Sequence, residues 1–199
     1  MGIPAHRDDG TLPPSRDMSE ARPDINTMSP YVVPAHEFAE RFAFSPGRTR
    51  LLHGFCDLRR RLREVGIVQG FHWIGGSFLR IDREPSDIDI VTFHVAPPAW
   101  ADEEVRRAVM STETDVFECG RSKKVYGCDA RMVEIAHFAS FARWTLYWST
   151  LFSTEKASFA RDKAAPRRVG FIQVPLLAPA DDEPLRDALA AAEAKLARP

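Results

Sequence analysis

The chain has 199 residues, enough for one domain with a real core, and its 44% hydrophobic content is that of an ordinary globular protein. A formal net charge of -1 and a pI near 6.6 provide no global electrostatic pull toward nucleic acid or membrane, so any such targeting must be local. The sparse cysteines Cys56, Cys119 and Cys128 form neither a CxxC pair nor a zinc-type Cys/His spacing, which argues against a disulfide scaffold and a structural zinc.

Pro4, Arg7 and Asp9 stand where a signal peptide would need an apolar core, and no apolar stretch approaches membrane-spanning length. A reduced, cytoplasmic protein is expected, its cysteines serving as small buried hydrophobes. Residues 1–30, rich in Pro, Asp, Ser and Arg, predict an irregular arm, residues 31–178 one domain, and residues 179–199 a helical tail. Residues 33–44 predict a short helix with Phe38 and Phe42 four apart. Ser45-Pro46 supplies a capping hydroxyl and an N1 proline for a helix that runs to about residue 64 and closes at Gly66. Its apolar stripe is Leu51, Leu52, Phe55, Leu58 and Leu62. Its other face carries Arg48, Arg50, Arg59, Arg60, Arg61 and Arg63. Either this is a phosphate-binding patch or a solvated face balanced by Asp57 and Glu64, and the second reading is preferred.

Strands are expected at residues 70–74 and 87–93, with Gly75-Gly76-Ser77 as a tight turn between them. An amphipathic helix follows over residues 101–110, then a strand over 124–135. Phe138, Phe141, Trp144, Trp148 and Phe152 recur at three- and four-residue intervals, which predicts a helix packed by aromatics, a core stripe rather than a stacking platform. Residues 169–174 predict an edge or terminal strand because Pro175 interrupts it, and an Ala-rich helix begins at Asp181. Strands alternating with helices predict an α/β or α+β fold, a mixed twisted sheet with helices on one face.

Asp87 and Asp89 fall on one side of their strand while Ile88 and Ile90 bury on the other. Two carboxylates about 7 Å apart repel and are costly to desolvate, unless a dication sits between them. Mg²⁺ (or Mn²⁺) is held in this way by one or two carboxylates with substrate phosphates, and paired ions can activate an attacking oxygen and stabilise a leaving pyrophosphate. Nine residues separate Asp87 from Ser77, which Gly76 precedes, and a turn with free N–H groups leading into a helix accepts anions. Arg80 and Arg83 between the two motifs, and Lys123 and Lys124 before the later strand, are candidate triphosphate ligands, with Arg80 and Lys124 foremost. His72, His94 and His137 form no ligand spacing and are read as structural, and Asp82 is read as no ligand.

The combination Ile74-Gly-Gly-Ser77, nine residues, then Asp87-Ile-Asp-Ile90 resembles the signature of the DNA-polymerase-β-like nucleotidyltransferase superfamily. The ends of the chain, Ile3-Pro4 with Asp9 to Pro14 and Arg168 to Ile172, are similar to those of a small bacterial family of minimal nucleotidyltransferases within it. The resemblance implies the minimal nucleotidyltransferase fold and a third carboxylate on a later strand. Asp129 and Glu134 are the candidates. Asp129 is chosen because an aspartate is unusual in a β-prone segment and because the pattern has Tyr, two residues, then Asp, as in Tyr126 to Asp129. Asp129 is then expected to act as general base or metal ligand beside Asp87 and Asp89. The implied activity is Mg²⁺-dependent transfer of a nucleoside monophosphate from an NTP, ATP foremost, to a hydroxyl of a protein or tRNA acceptor, as in toxin–antitoxin or phage-defence systems. An antibiotic-modifying transferase and a non-catalytic nucleotide- or partner-binding antitoxin module are the alternatives.

Overall fold

The computed structural model of the protein describes residues 2–16, 24–136, 138–156, 166–176 and 182–198. His137 and Asp181 lie outside them. Among the described residues the strands β1 (Tyr31–Val32), β2 (Gly70–Gly75), β3 (Ile88–His94), β4 (Cys128–Glu134) and β5 (Ile172–Leu176) form one sheet, in the order β1-β5-β2-β3-β4. β2 runs antiparallel to β3 and β5, whereas β3–β4 and β1–β5 are parallel pairs, so the sheet is mixed as expected. The helices are α1 (Ala35–Phe42), α2 (Pro46–Glu64), α3 (Glu103–Thr112), α4 (Thr114–Phe117), α5 (Cys119–Tyr126), α6 (Phe138–Phe152) and α7 (Asp182–Leu196). None is long and apolar enough to cross a membrane.

Alternation along β2 and β3 sorts side chains onto two faces. His72 and Thr92 point to the α2 side, where the His72 ring meets Phe55 at 5.3 Å. Phe71, Trp73 and Phe93 point the other way, and Phe93 meets Phe141 of α6 at 5.8 Å. Helices therefore cover both faces, where the sequence suggested one. Ser45 caps α2 by accepting the Arg48 N–H, and Leu51, Leu52, Phe55, Leu58 and Leu62 are buried as the periodicity predicts. Phe38 and Phe42 of α1 pack on Phe55 and Phe78, each fully buried ring contributing about 1.5–3 kcal/mol. The free thiols of Cys56 and Cys128 are buried, as small hydrophobes would be. The N-terminal arm is stitched onto this core: Leu12 is buried, its carbonyl accepts the Gly170 N–H, and Tyr31 Oη donates to the Pro13 carbonyl at 2.7 Å.

Four further expectations need correction. The arginine face of α2 is neither a phosphate patch nor uniformly solvated, because Arg48 and Arg59 are fully buried. Arg48 donates to the carbonyls of Phe78, Arg80 and Arg83, tying down the loop that follows the glycine turn. Arg59 donates to Asp182 Oδ1 at 2.8 Å and to the Pro175 carbonyl at 3.0 Å, while Arg63 also pairs with Asp182. Exposed Arg50, the Arg60 pairs with Asp57 and Glu64, and the Arg61 pair with Glu64 fit the solvated reading.

β5 is not an edge strand; it lies between β1 and β2. Pro175 is tolerated because β1 pairs only with Ile172 and Gln173, and the Pro175 carbonyl, on the side of its hydrogen-less nitrogen, is met by Arg59. The strand expected from Lys124 begins only at Cys128. Residues 119–126 are helical, ended by Gly127 in the left-handed region at φ 66°. Finally, α6 is not a buried core helix: of its residues only Phe152 is buried, while Trp144 and Tyr147 are 45% and 53% exposed.

Candidate functional site

The site forms where β2 turns over into the neighbouring strands. β2 ends at Gly75, opposite Asp89 on β3, and the chain passes into the single 3₁₀ turn Gly76–Leu79. Gly76 has φ 72°, and a Cβ there would lie 1.9 Å from Asp89 Oδ2. Only glycine lets this carboxylate rest against the turn. In the parallel β3–β4 register Asp89 pairs with Asp129, while Asp87 immediately precedes β3 on the same side as Asp89. Asp87, Asp89 and Asp129 thereby each bring an oxygen to within 4.8 Å of the others.

Each carboxylate has a cationic neighbour. Lys123 Nζ, in the last turn of α5, lies 2.5 Å from Asp87 Oδ2, and Arg131 Nη1 lies 2.6 Å from Asp129 Oδ1. Lys156 Nζ lies 3.9 Å from Asp89 Oδ2, and Ser86 Oγ donates to Asp87 Oδ1. Burial raises the Asp89 carboxyl above its ordinary range; the Lys156 charge opposes this, and the Asp87 and Asp129 charges add to it. The Lys123 ammonium is held above its usual value by its hydrogen bond to Asp87. An all-oxygen cluster of three mutually repelling carboxylates fits a hard dication such as Mg²⁺ or Mn²⁺.

Beside the cluster opens a cavity of about 260 Å³. Gly76, Asp89 and Asp129 line one side, Tyr147, Trp148 and Leu151 of α6 another, and Thr11 and Leu12 of the N-terminal arm a third. Arg131 and Lys156 line it too.

Of the residues chosen from sequence, the structure thus brings together Asp87, Asp89, Asp129 and Gly76. Ser77 sits half-buried in the turn, where its carbonyl accepts the Arg80 N–H, and it is not among the residues lining the cavity. Arg80 lines the cavity, but its guanidinium is committed to Glu155 at 2.6 Å, to Asp82 at 2.8 Å and to the Asp9 carbonyl. It works as a strut between the arm, the inter-motif loop and the segment after α6. Asp82 stands outside the cluster, its carboxyl held well below the ordinary range by the hydrogen bond from Arg80. Lys124 is exposed on α5, and it is Lys123 that reaches the acids. Glu134, the rejected third carboxylate, ends β4 and pairs with Arg106 at 2.7 Å. His72 is buried against Thr92 Oγ1 at 2.9 Å, a structural placement as expected.

Sequence reading missed Lys156, the role of Arg131 and the α6 wall of the cavity. The one available signal concerned Lys123: a C-terminal Gly127 after two lysines is a helix ending, and helical rather than strand phase separates Lys123 from Lys124.

No curated protein and no solved structure matches the chain. Residues 4–175 match a family of unknown function, DUF6932, and this span, from the N-terminal arm through nearly all of β5, places the chain in that family.

Proposed function

We propose that the protein is a magnesium-dependent nucleotidyltransferase of the minimal nucleotidyltransferase fold, moving a nucleoside monophosphate from an NTP, ATP foremost, to an acceptor hydroxyl. The observation that carries this reading is the convergence of Asp87, Asp89 and Asp129, from two adjacent strands, against the Gly76 turn. Three acids at one point repel one another; Lys123, Arg131 and Lys156 offset part of that charge, and a bound dication would offset it more fully.

Asp87, Asp89 and Asp129 would hold the ion, which when bound would neutralise the cluster and polarise phosphate oxygens. Gly76, by lacking a side chain, keeps the Asp89 carboxylate in position against the turn. Lys123 and Lys156, with side chains 49% and 58% exposed, stand ready to take phosphate charge in place of their carboxylate partners. Asp129 would accept the proton of the acceptor hydroxyl. The cavity, at about 260 Å³, is smaller than the ~300–1,000 Å³ of a typical drug-sized site, which favours an acceptor that inserts only its end over an enclosed antibiotic.

The test is incubation of the full chain with each α-labelled NTP, Mg²⁺ and separated RNA and protein fractions. Label should pass to one fraction. Asp87→Asn or Asp89→Asn should abolish transfer, and Asp89→Asn should melt at the same or a higher temperature because repulsion from Asp87 and Asp129 is relieved. Full activity in either variant overturns the assignment.

A further inference from the structure

We infer that the acceptor is the unpaired 3′ end of an RNA, laid along α6 with its last nucleoside in the cavity. The chemistry rests on the nucleotidyltransfer reading; the binding surface does not.

The observation is a run of rings whose outer members, Trp144 and Tyr147, the described residues leave exposed. Arg143, Trp144, Tyr147 and Leu151 fall at the three- and four-residue spacing that puts them on one face of α6, with Trp148 at its border. Trp144, Tyr147 and Leu151 are 45%, 53% and 44% exposed. The rings also touch in sequence: Trp144 meets Tyr147 at 5.9 Å, Tyr147 meets Trp148 at 5.1 Å, and Trp148 meets Phe152 at 5.5 Å. Phe152 in turn lies against Gly75, at the glycine turn. An aromatic path therefore leads from the acid cluster through the cavity to open surface.

Charge and length decide what fits this path. Arg143 is the sole charged residue of α6, which carries no acid, while at the cavity end Arg131 and Lys156 stand beside Asp129 and Asp89, and Arg80 beside Glu155. Uncovered rings flanked by cations are the combination that binds single strands, with bases on the π-faces and phosphates on the charges. From Leu151 to Trp144 the helix rises about 10 Å. That is about three nucleotides at ~3.4 Å each. A terminal nucleoside seated between Tyr147 and Leu151 would present its 3′ hydroxyl toward Asp89 and Asp129, which line the same cavity. In the transfer the 3′ oxygen gives its proton to Asp129 and bonds the α-phosphorus of the NTP. The bond from that phosphorus to the bridging oxygen breaks, and pyrophosphate leaves with the electron pair.

The experiment is titration of the full chain with a labelled single-stranded RNA about 12 nucleotides long and with its duplex form, without NTP or Mg²⁺. The single strand should bind at least tenfold more tightly than the duplex. Trp144→Leu and Tyr147→Leu, which keep apolar area but lose the π-face, should each weaken binding about 5- to 100-fold, and Trp144→Phe should restore most of it. Arg143→Gln should flatten the salt dependence by about 0.7 in slope. Absent binding, equal duplex binding, or indifference to Trp144→Leu overturns the inference. So does sedimentation showing a dimer that Trp144→Leu dissolves, since a second copy then covers the face. Calorimetry of Mg²⁺ and NTP binding reads the acid cluster separately. Their binding alongside a failed RNA titration sinks the acceptor assignment alone, whereas ring-dependent RNA binding without them supports the surface and sinks the transfer.

Discussion

At Gly76 two demands meet: a left-handed backbone and the absence of a side chain where Asp89 rests. Gly76→Ala meets neither. Alanine at φ 72° carries strain of about 1–3 kcal/mol, and its methyl displaces the Asp89 carboxylate from the cluster. The variant should melt lower by that amount and lose most of its Mn²⁺ affinity, measured by calorimetry alongside thermal denaturation. Unchanged Mn²⁺ binding would show that the position of Asp89 does not matter to the site. This glycine and the first two aspartates were legible because they lie within one hairpin, where strand alternation and local spacing determine what faces what. Asp129 was reachable only by pattern, since its pairing with Asp89 depends on a parallel register that no local signal sets. Lys156 gave no local signal at all; it arrives from beyond α6.

Elements were read well where their own periodicity carried the information and poorly where a distant partner decides. The apolar stripe of α2 was buried as expected, yet the opposite stripe held two arginines whose partners lie far along the chain, Asp182 for Arg59 and the loop carbonyls for Arg48. Likewise the aromatic period of α6 marks a helix, but periodicity cannot say whether another element covers it. The α2–α7 staple has a pH consequence. Burial would raise the Asp182 carboxyl, but the hydrogen bond from Arg63 and the charge of Arg59 outweigh it, so its folded value lies below the ordinary one. A depressed carboxylate contributes its full stability above its unfolded value near 3.9 and loses it as pH falls through the folded value. Asp182→Asn should therefore lower stability at neutral pH and flatten the acid limb of a melting-temperature profile below about pH 4. A variant curve parallel to the wild type across that window would show that the staple is not what acid breaks.

At the scale of the whole molecule, the family match ends at residue 175, while α7 begins at Asp182. The helix is nonetheless part of the core: Asp182, Leu185, Ala188 and Leu189 are buried, and α7 packs against α1 and α2. Removing residues 182–199 exposes the surfaces that Leu185 and Leu189 cover, about 1.5–3 kcal/mol for each leucine. It also leaves Arg59 buried without its carboxylate, and breaking a buried pair from one side costs about 3–5 kcal/mol. Together these losses are of the order of the whole stability of a domain, ~5–15 kcal/mol. The truncated chain should lack a cooperative melting transition, and Arg59→Met in that background should recover part of it by removing the unpaired charge. Since α2 also holds the loop behind Gly76 through Arg48, the acid cluster should be lost with the helix, read as absent Mn²⁺ binding. A truncated protein that melts cooperatively and still binds Mn²⁺ would mean that α7 only leans on a core complete without it.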